Sequence, residues 1–311
     1  MDVLLKILLK PDNLPMVALL PGTVVLVVLW WRAARRNDRL LQKGGEAAVA
    51  EAMAGPQPPP IRGPAGGLRK AGPKLHSWPY LIRVELLVAL AVMIILTVWS
   101  IAVDAPLEQM ADAARTPNPS KAPWYFLGLQ EMLVYFDPWI AGVVLPLLII
   151  VGLCAIPYLD VNSKGNGYYC WRQRPFAIGA FLVGLVGLWV PLIAVGVFCR
   201  GPGWHWFWPW EPWRTDIVST VTAVNWPQFL GVSSPVGNVV VGALTVGLYY
   251  LAPSVGLWVW RREGETLQRL GLVRYAAVSF LLLTMLALPL KIALRLALDV
   301  KYVLVTPWFS I

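Results

Sequence analysis

The chain alternates between long apolar runs and short polar ones. A membrane-spanning helix needs about 20 mainly apolar residues, and six stretches meet or approach that length. They are Pro15 to Trp31, Tyr80 to Val103, Pro138 to Ile156, Phe176 to Phe198, Val236 to Trp260, and about Val273 to Ala297. The first is short. It lacks a basic n-region and an Ala-x-Ala site, and basic residues follow it, so it reads as an anchor and not as a cleaved signal. The fold class expected is all-α: a polytopic membrane protein with about six transmembrane helices.

The polar segments sort by charge. Residues 32–80 carry nine Lys and Arg against three acids, residues 157–175 three against one, and residues 260–274 four against two. If all six runs span, these segments share one face of the membrane. The opposite face holds 1–14 (two against two), 104–137 (two against five) and 199–235 (two against two). The positive-inside rule puts the basic set in the cytoplasm and both termini on the other side. That orientation suits the inner membrane of a bacterium.

Composition agrees with the pattern. Of 311 residues, 58% are hydrophobic and 14% charged, against about 25% charged in soluble domains. The net charge of +9 therefore reads as orientation charge and not as affinity for nucleic acid. Cys154, Cys170 and Cys199 form no CxxC pair, so there is no zinc pattern and no c-type haem attachment signature. Only two histidines occur, His76 and His205.

Four regions are expected. Residues 1–32 form a membrane anchor helix. Residues 33–78 are a basic linker whose first half suits a short surface helix, and whose Pro/Gly-rich second half will not pack. The linker leaves the first span tethered to the other five. Residues 79–199 form a three-helix unit, and residues 200–311 add a Trp-rich loop and two further spans.

The loop 104–137 reads DAPLEQMADAARTPNPSKAPWYFLGLQEMLVYFD. Pro117, Pro119 and Pro123 break any helix. From Trp124 the pattern turns helical: Trp124, Leu127, Glu131 and Val134 or Tyr135 recur at three- and four-residue spacing. A surface helix of about three turns is expected before Pro138 opens the third span.

With these residues in view, the segment Trp78 to Cys199 resembles the C-terminal half of cytochrome b in quinol–cytochrome c oxidoreductases. In arrangement it is closest to the separate small chain, subunit IV, of cytochrome bf-type complexes. WPYLIRVELLVAL resembles the entering helix, and the loop resembles the segment that closes the quinol-oxidation site. LPLLIIVGLCAIPYLDVN and RQRPFAIGAFLVG resemble the next helix, its exit and the start of the helix after it. The resemblance implies a quinol-binding wall at Pro123, Trp124, Tyr125, Phe126 and Leu129. The family's loop usually carries Pro-Glu-Trp-Tyr, with a glutamate that accepts a proton from quinol. Here Pro123 holds that position and cannot. Glu131 is the candidate acceptor, about 12 Å further along a helix, with the Tyr125 hydroxyl and Asp137 behind it. On that reading Glu131→Gln slows quinol oxidation without loss of assembly.

Haem needs axial ligands, commonly His, and neither histidine lies in a span. The b haems implied by the resemblance therefore belong to another chain. The partners implied are a di-haem cytochrome b N-terminal-like chain, a Rieske iron–sulfur protein and a c-type cytochrome, in a dimeric complex among lipids. The altered loop points to menaquinol. The chain is then not catalytic alone. Two alternatives stay open: a quinone-interacting anchor subunit of another oxidoreductase, and a transporter. The Trp-dense stretch Cys199 to Trp213 reads equally as a platform for a partner's head domain or as a lipid belt. His205 reads as structural, and Arg83, Glu85, Lys291 and Arg295 as charges snorkelling to headgroups.

Overall fold

A computed structural model describes residues 2–54, 77–105, 110–114, 116–165, 167–217 and 223–311. Among these, six helices are long and apolar enough to cross a membrane. The five later ones are Ser77–Ala102, Ile140–Leu159, Pro175–Phe198, Pro235–Arg261 and Glu265–Leu298. All five lie over the runs read from the sequence. Proline opens two of them at their first position, where its missing N–H costs nothing. The Pro/Gly-rich half of the linker lies outside the described residues.

The first span differs from expectation. It is one helix from Leu14 to Ala54, interrupted only at Gly44 and Gly45, where the backbone leaves helical geometry. The polar stretch after Arg32 continues the helix because Ala, Arg, Gln and Leu are good helix formers. It does not lie free. Asn37 Nδ2 donates to the Tyr169 carbonyl at 2.9 Å, and Asp38 accepts from the backbone N–H groups of Trp171 and Arg172, each at 3.3 Å. The helix is thus docked on the loop between the third and fourth spans. At its other end Met16 is fully buried with Ile7, Leu127, Ile193 and Val197. The tether expected from the linker is replaced at both ends by direct packing.

Two buried clusters organise the rest. Met16 and Ile7 belong to the one just named. The other joins Met132, Tyr135, Phe136, Ile140, Ala141, Leu192 and Leu288. The short helix Leu127–Met132 lies between them, so the loop read as functional is also the packing centre. Glycines let it approach the fourth span. A Cβ on Gly196 would lie 3.1 Å from Leu127 Cβ, and one on Gly128 would lie 3.2 Å from Ile193. Small residues serve this purpose at helix contacts in membranes, where lipid offers no hydrophobic gain on association.

Spans five and six are stitched by hydroxyls. Tyr249 donates to the Leu283 carbonyl (2.7 Å), Tyr250 pairs with Thr284 (3.0 Å), Ser254 with Ser279 (2.7 Å), and Tyr275 donates to the Ser254 carbonyl (2.5 Å). The C-terminal tail folds back from Asp299. Phe309 and Ile311 pack on the cluster around Phe136. Lys291 corrects a sequence expectation. It does not reach toward headgroups but is 4% exposed, donates to the Lys301 carbonyl at 2.7 Å and faces the rings of Phe136 and Tyr302. The tail supplies the acceptor. The second span is the opposite case: none of its residues from Ile82 to Ala102 is buried by this chain.

Candidate functional site

The loop's chemistry begins with how its helix starts. Pro123 is extended (φ −52, ψ 147) and Trp124–Phe126 form a single 3-10 turn. The helix Leu127–Met132 comes next. The stripe expected from the spacing is present: Leu127, Glu131 and Tyr135 are 2%, 1% and 7% exposed. Gln130 fastens the Pro-rich segment to this helix. Its carbonyl accepts from Ala122 N at 2.9 Å and its amide donates to the Ser120 carbonyl at 2.8 Å. Asn118 accepts from Gly203 N at 2.6 Å, which ties the same segment to the loop after the fourth span.

Glu131 is the deepest charged group here. Its Oε2 accepts from Arg200 Nε at 2.8 Å and from Trp204 Nε1 at 3.1 Å. Its Oε1 accepts from Arg200 Nη2 at 2.5 Å and from the Tyr135 hydroxyl at 3.1 Å. The Arg200 side chain is 10% exposed, its Nη1 donates to the Trp204 carbonyl at 3.1 Å, and its guanidinium lies 5.6 Å from the centre of the Trp206 ring. This is a bidentate, charge-assisted pair of the strong kind. Burial, and then the Glu131 charge, push the Tyr135 hydroxyl up to about 12, so it stays a neutral donor. Burial pulls against the Arg200 guanidinium, yet its bond and charge contact with Glu131 leave it above its ordinary value.

The structure therefore separates the residues expected to act together. Glu131 faces inward with four donors on its two oxygens. Tyr125 and Phe126 face outward, each 51% exposed, with ring centres 4.8 Å apart. Pro123 is exposed beside them, Trp124 is half-buried on the cluster of Leu127 and Ile193, and Leu129 packs on the cluster of Phe136. Asp137 accepts from Trp139 N at 3.0 Å and so helps begin the third span. A carboxylate with four satisfied contacts has no free lone pair aimed at a ligand. The geometry assigns Glu131 to holding the loop.

Arg200, Trp204 and Gln130 escaped the sequence reading. One signal was available for the first. Arg200 is two residues beyond the fourth span, on the same membrane face as Glu131, and a carboxylate on a buried helical stripe demands a cation. A second fastening was equally missed. Lys121 Nζ donates to the Val197 carbonyl at 2.9 Å, capping the end of the fourth span, and lies 5.4 Å from the centre of the Trp213 ring. Burial, and then the charge of Lys10, lower its amine from 10.5 to about 8. The unfolded chain then holds more protons than the folded one between about pH 8 and 10.5. Stability should rise with pH across that window through this residue. Lys121→Met should remove that rise, which thermal unfolding at a series of pH values will show.

A groove of 690 Å³ runs beside the fastened loop, lined among others by Asn118, Gln130, Leu133, Trp204, Arg295 and Lys301. None of Pro123 to Phe126 lines it. The tryptophans after Trp204 turn outward: Trp206, Trp208 and Trp210 are 45%, 50% and 63% exposed, and the last two stack at 5.4 Å. Among the described residues no group of three or more His, Cys, Asp or Glu could hold a metal ion.

Comparison with known proteins places this segment. Residues 110–200 match the family described as Cytochrome b(C-terminal)/b6/petD. The matched segment opens in the loop, crosses the third and fourth spans and ends on Arg200, so it contains both halves of the buried pair. It supports a subunit of a cytochrome b-type quinol oxidoreductase. No curated protein and no solved structure matches the chain.

Proposed function

We propose that this chain is the haem-free half of a split cytochrome b in a quinol–cytochrome c oxidoreductase, and that its loop forms one wall of the quinol-oxidation pocket. The observation that carries this reading is the outward Tyr125–Phe126 step within the matched segment, on a helix locked from behind by Glu131 and Arg200. Aromatic faces suit a flat quinone ring. A wall must be rigid to position its ligand, and the buried pair supplies that rigidity. The step is exposed in this chain alone, so the facing wall comes from a partner.

The residues present do not fit b haem, since His76 and His205 are the only histidines and neither lies in one of the six apolar runs. A partner chain of the cytochrome b N-terminal type supplies the haem ligands on this reading. The unburied second span offers that chain a surface. A Rieske protein and a c-type cytochrome complete the path from quinol, with Trp206, Trp208 and Trp210 as the platform for a head domain. The complex is a dimer. Menaquinol is the quinol that the altered loop favours. The membrane is the bacterial inner membrane, with residues 32–80, 157–175 and 260–274 cytoplasmic. With Pro123 in place of the usual acid and Glu131 engaged, the protons released by quinol pass to a partner residue or to water at the pocket mouth.

A photoreactive quinone analogue tests the wall. Applied to the assembled complex, it should label Trp124 to Phe126, and labelling should fall when excess quinol competes. Labels confined to other segments of the chain would refute the assignment.

A further inference from the structure

On the opposite face of the membrane, where the first span meets the loop between the third and fourth, lies a second cavity of 810 Å³. Its lining includes Arg32, Arg36, Asn37, Tyr168 and Tyr169. Arg32 and Arg36 are four residues apart and so share one helix face. Both are exposed, and among the described residues neither has an ion-pair partner. The cavity is built and not incidental. Asn37 and Asp38 hold the helix to the backbone of Tyr169, Trp171 and Arg172, which fixes the walls.

Its depth is marked independently. Trp30 and Trp31 close the apolar run, and the ring of Trp171 lies 6.3 Å and 5.7 Å from theirs. Tryptophan collects at the membrane–water interface. Arg32 comes at once after them, and Arg36 one turn further out. Two exposed guanidiniums without an ion-pair partner among the described residues, in a half-open cavity beside the tryptophans, match a phosphate, because the guanidinium fork binds phosphate oxygens in pairs. A basic pocket between spans suits an anionic headgroup, and the Trp cluster beneath suits acyl chains.

We propose that this cavity holds the phosphate headgroup of an anionic phospholipid. The lipid mortars the first span to the loop between the third and fourth. The inference is independent of the quinol reading.

The test uses the full-length chain, delipidated in detergent, with thermal unfolding and native mass spectrometry as readouts. Phosphatidylglycerol or cardiolipin should bind and raise the unfolding temperature, while phosphatidylcholine should not. The variant R32Q/R36Q should bind the anionic lipid about thirty-fold more weakly, from roughly fivefold per arginine near a charged headgroup. Equal stabilisation by phosphatidylcholine, or an unchanged affinity in the variant, overturns the proposal. Equal protection by inorganic phosphate also overturns it, in favour of an aqueous anion site. If the variant does not accumulate, the selectivity of the unaltered chain between phosphatidylglycerol and phosphatidylcholine decides alone.

Discussion

Arg200→Met will cost about 3–5 kcal/mol of stability, because it leaves the Glu131 carboxylate buried without its counter-charge. Glu131→Gln should cost a similar amount, since it strands Arg200 in the same shell of Trp204, Tyr135 and Trp206. The double variant Glu131→Gln/Arg200→Met should recover a large part of the loss, as removing both charges of a buried pair is far milder than removing one. Denaturation of the purified chain in detergent, read by tryptophan fluorescence, measures all three. Additive losses in the double variant would mean that the two residues act separately. The expectation drawn from sequence alone was the reverse: slower quinol oxidation in Glu131→Gln with assembly intact. Four donors on one carboxylate are the reason for the change.

The second large effect concerns the outward step. Replacing Tyr125 and Phe126 together with Ala should lower quinol oxidation by the assembled complex at least about tenfold, since misplaced reactants lose about that much or more in rate. Folding should barely change, because both rings are half-exposed and surface substitutions alter stability by only about 0.5 kcal/mol. The discriminating readout is the contrast with the buried pair, where activity and assembly fall together. A double alanine variant that assembles and oxidises quinol at the unaltered rate would remove these rings from the pocket.

The contrast also shows what could be read without a structure. The six spans were legible because a membrane imposes length and polarity at once. The loop helix was legible because Leu127, Glu131 and Tyr135 keep helical spacing. Which way Glu131 points, and what it meets, was not. Its partner Arg200 lies 69 positions away, and no local pattern joins them. The same holds for Lys121 and Val197, 76 positions apart. In the long first helix, the segment after Arg32 was expected as a separate surface helix and not as a continuation of the span. That polar half has the composition of a linker, and only contacts with Tyr169, Trp171 and Arg172 show that it is docked. Local propensity sets such a helix going, and distant backbone groups decide where it rests.

On the proposed function, this chain works as the haem-free partner of a haem-bearing cytochrome b chain. The most direct test is to purify it from its native membrane through an affinity tag in mild detergent and record the reduced-minus-oxidised spectrum, then separate the subunits. The expected result is b-type haem and quinol–cytochrome c oxidoreductase activity in the intact preparation, with all b haem on a different polypeptide after separation. A tagged chain that emerges alone and without haem, or one that keeps b haem by itself, would contradict it.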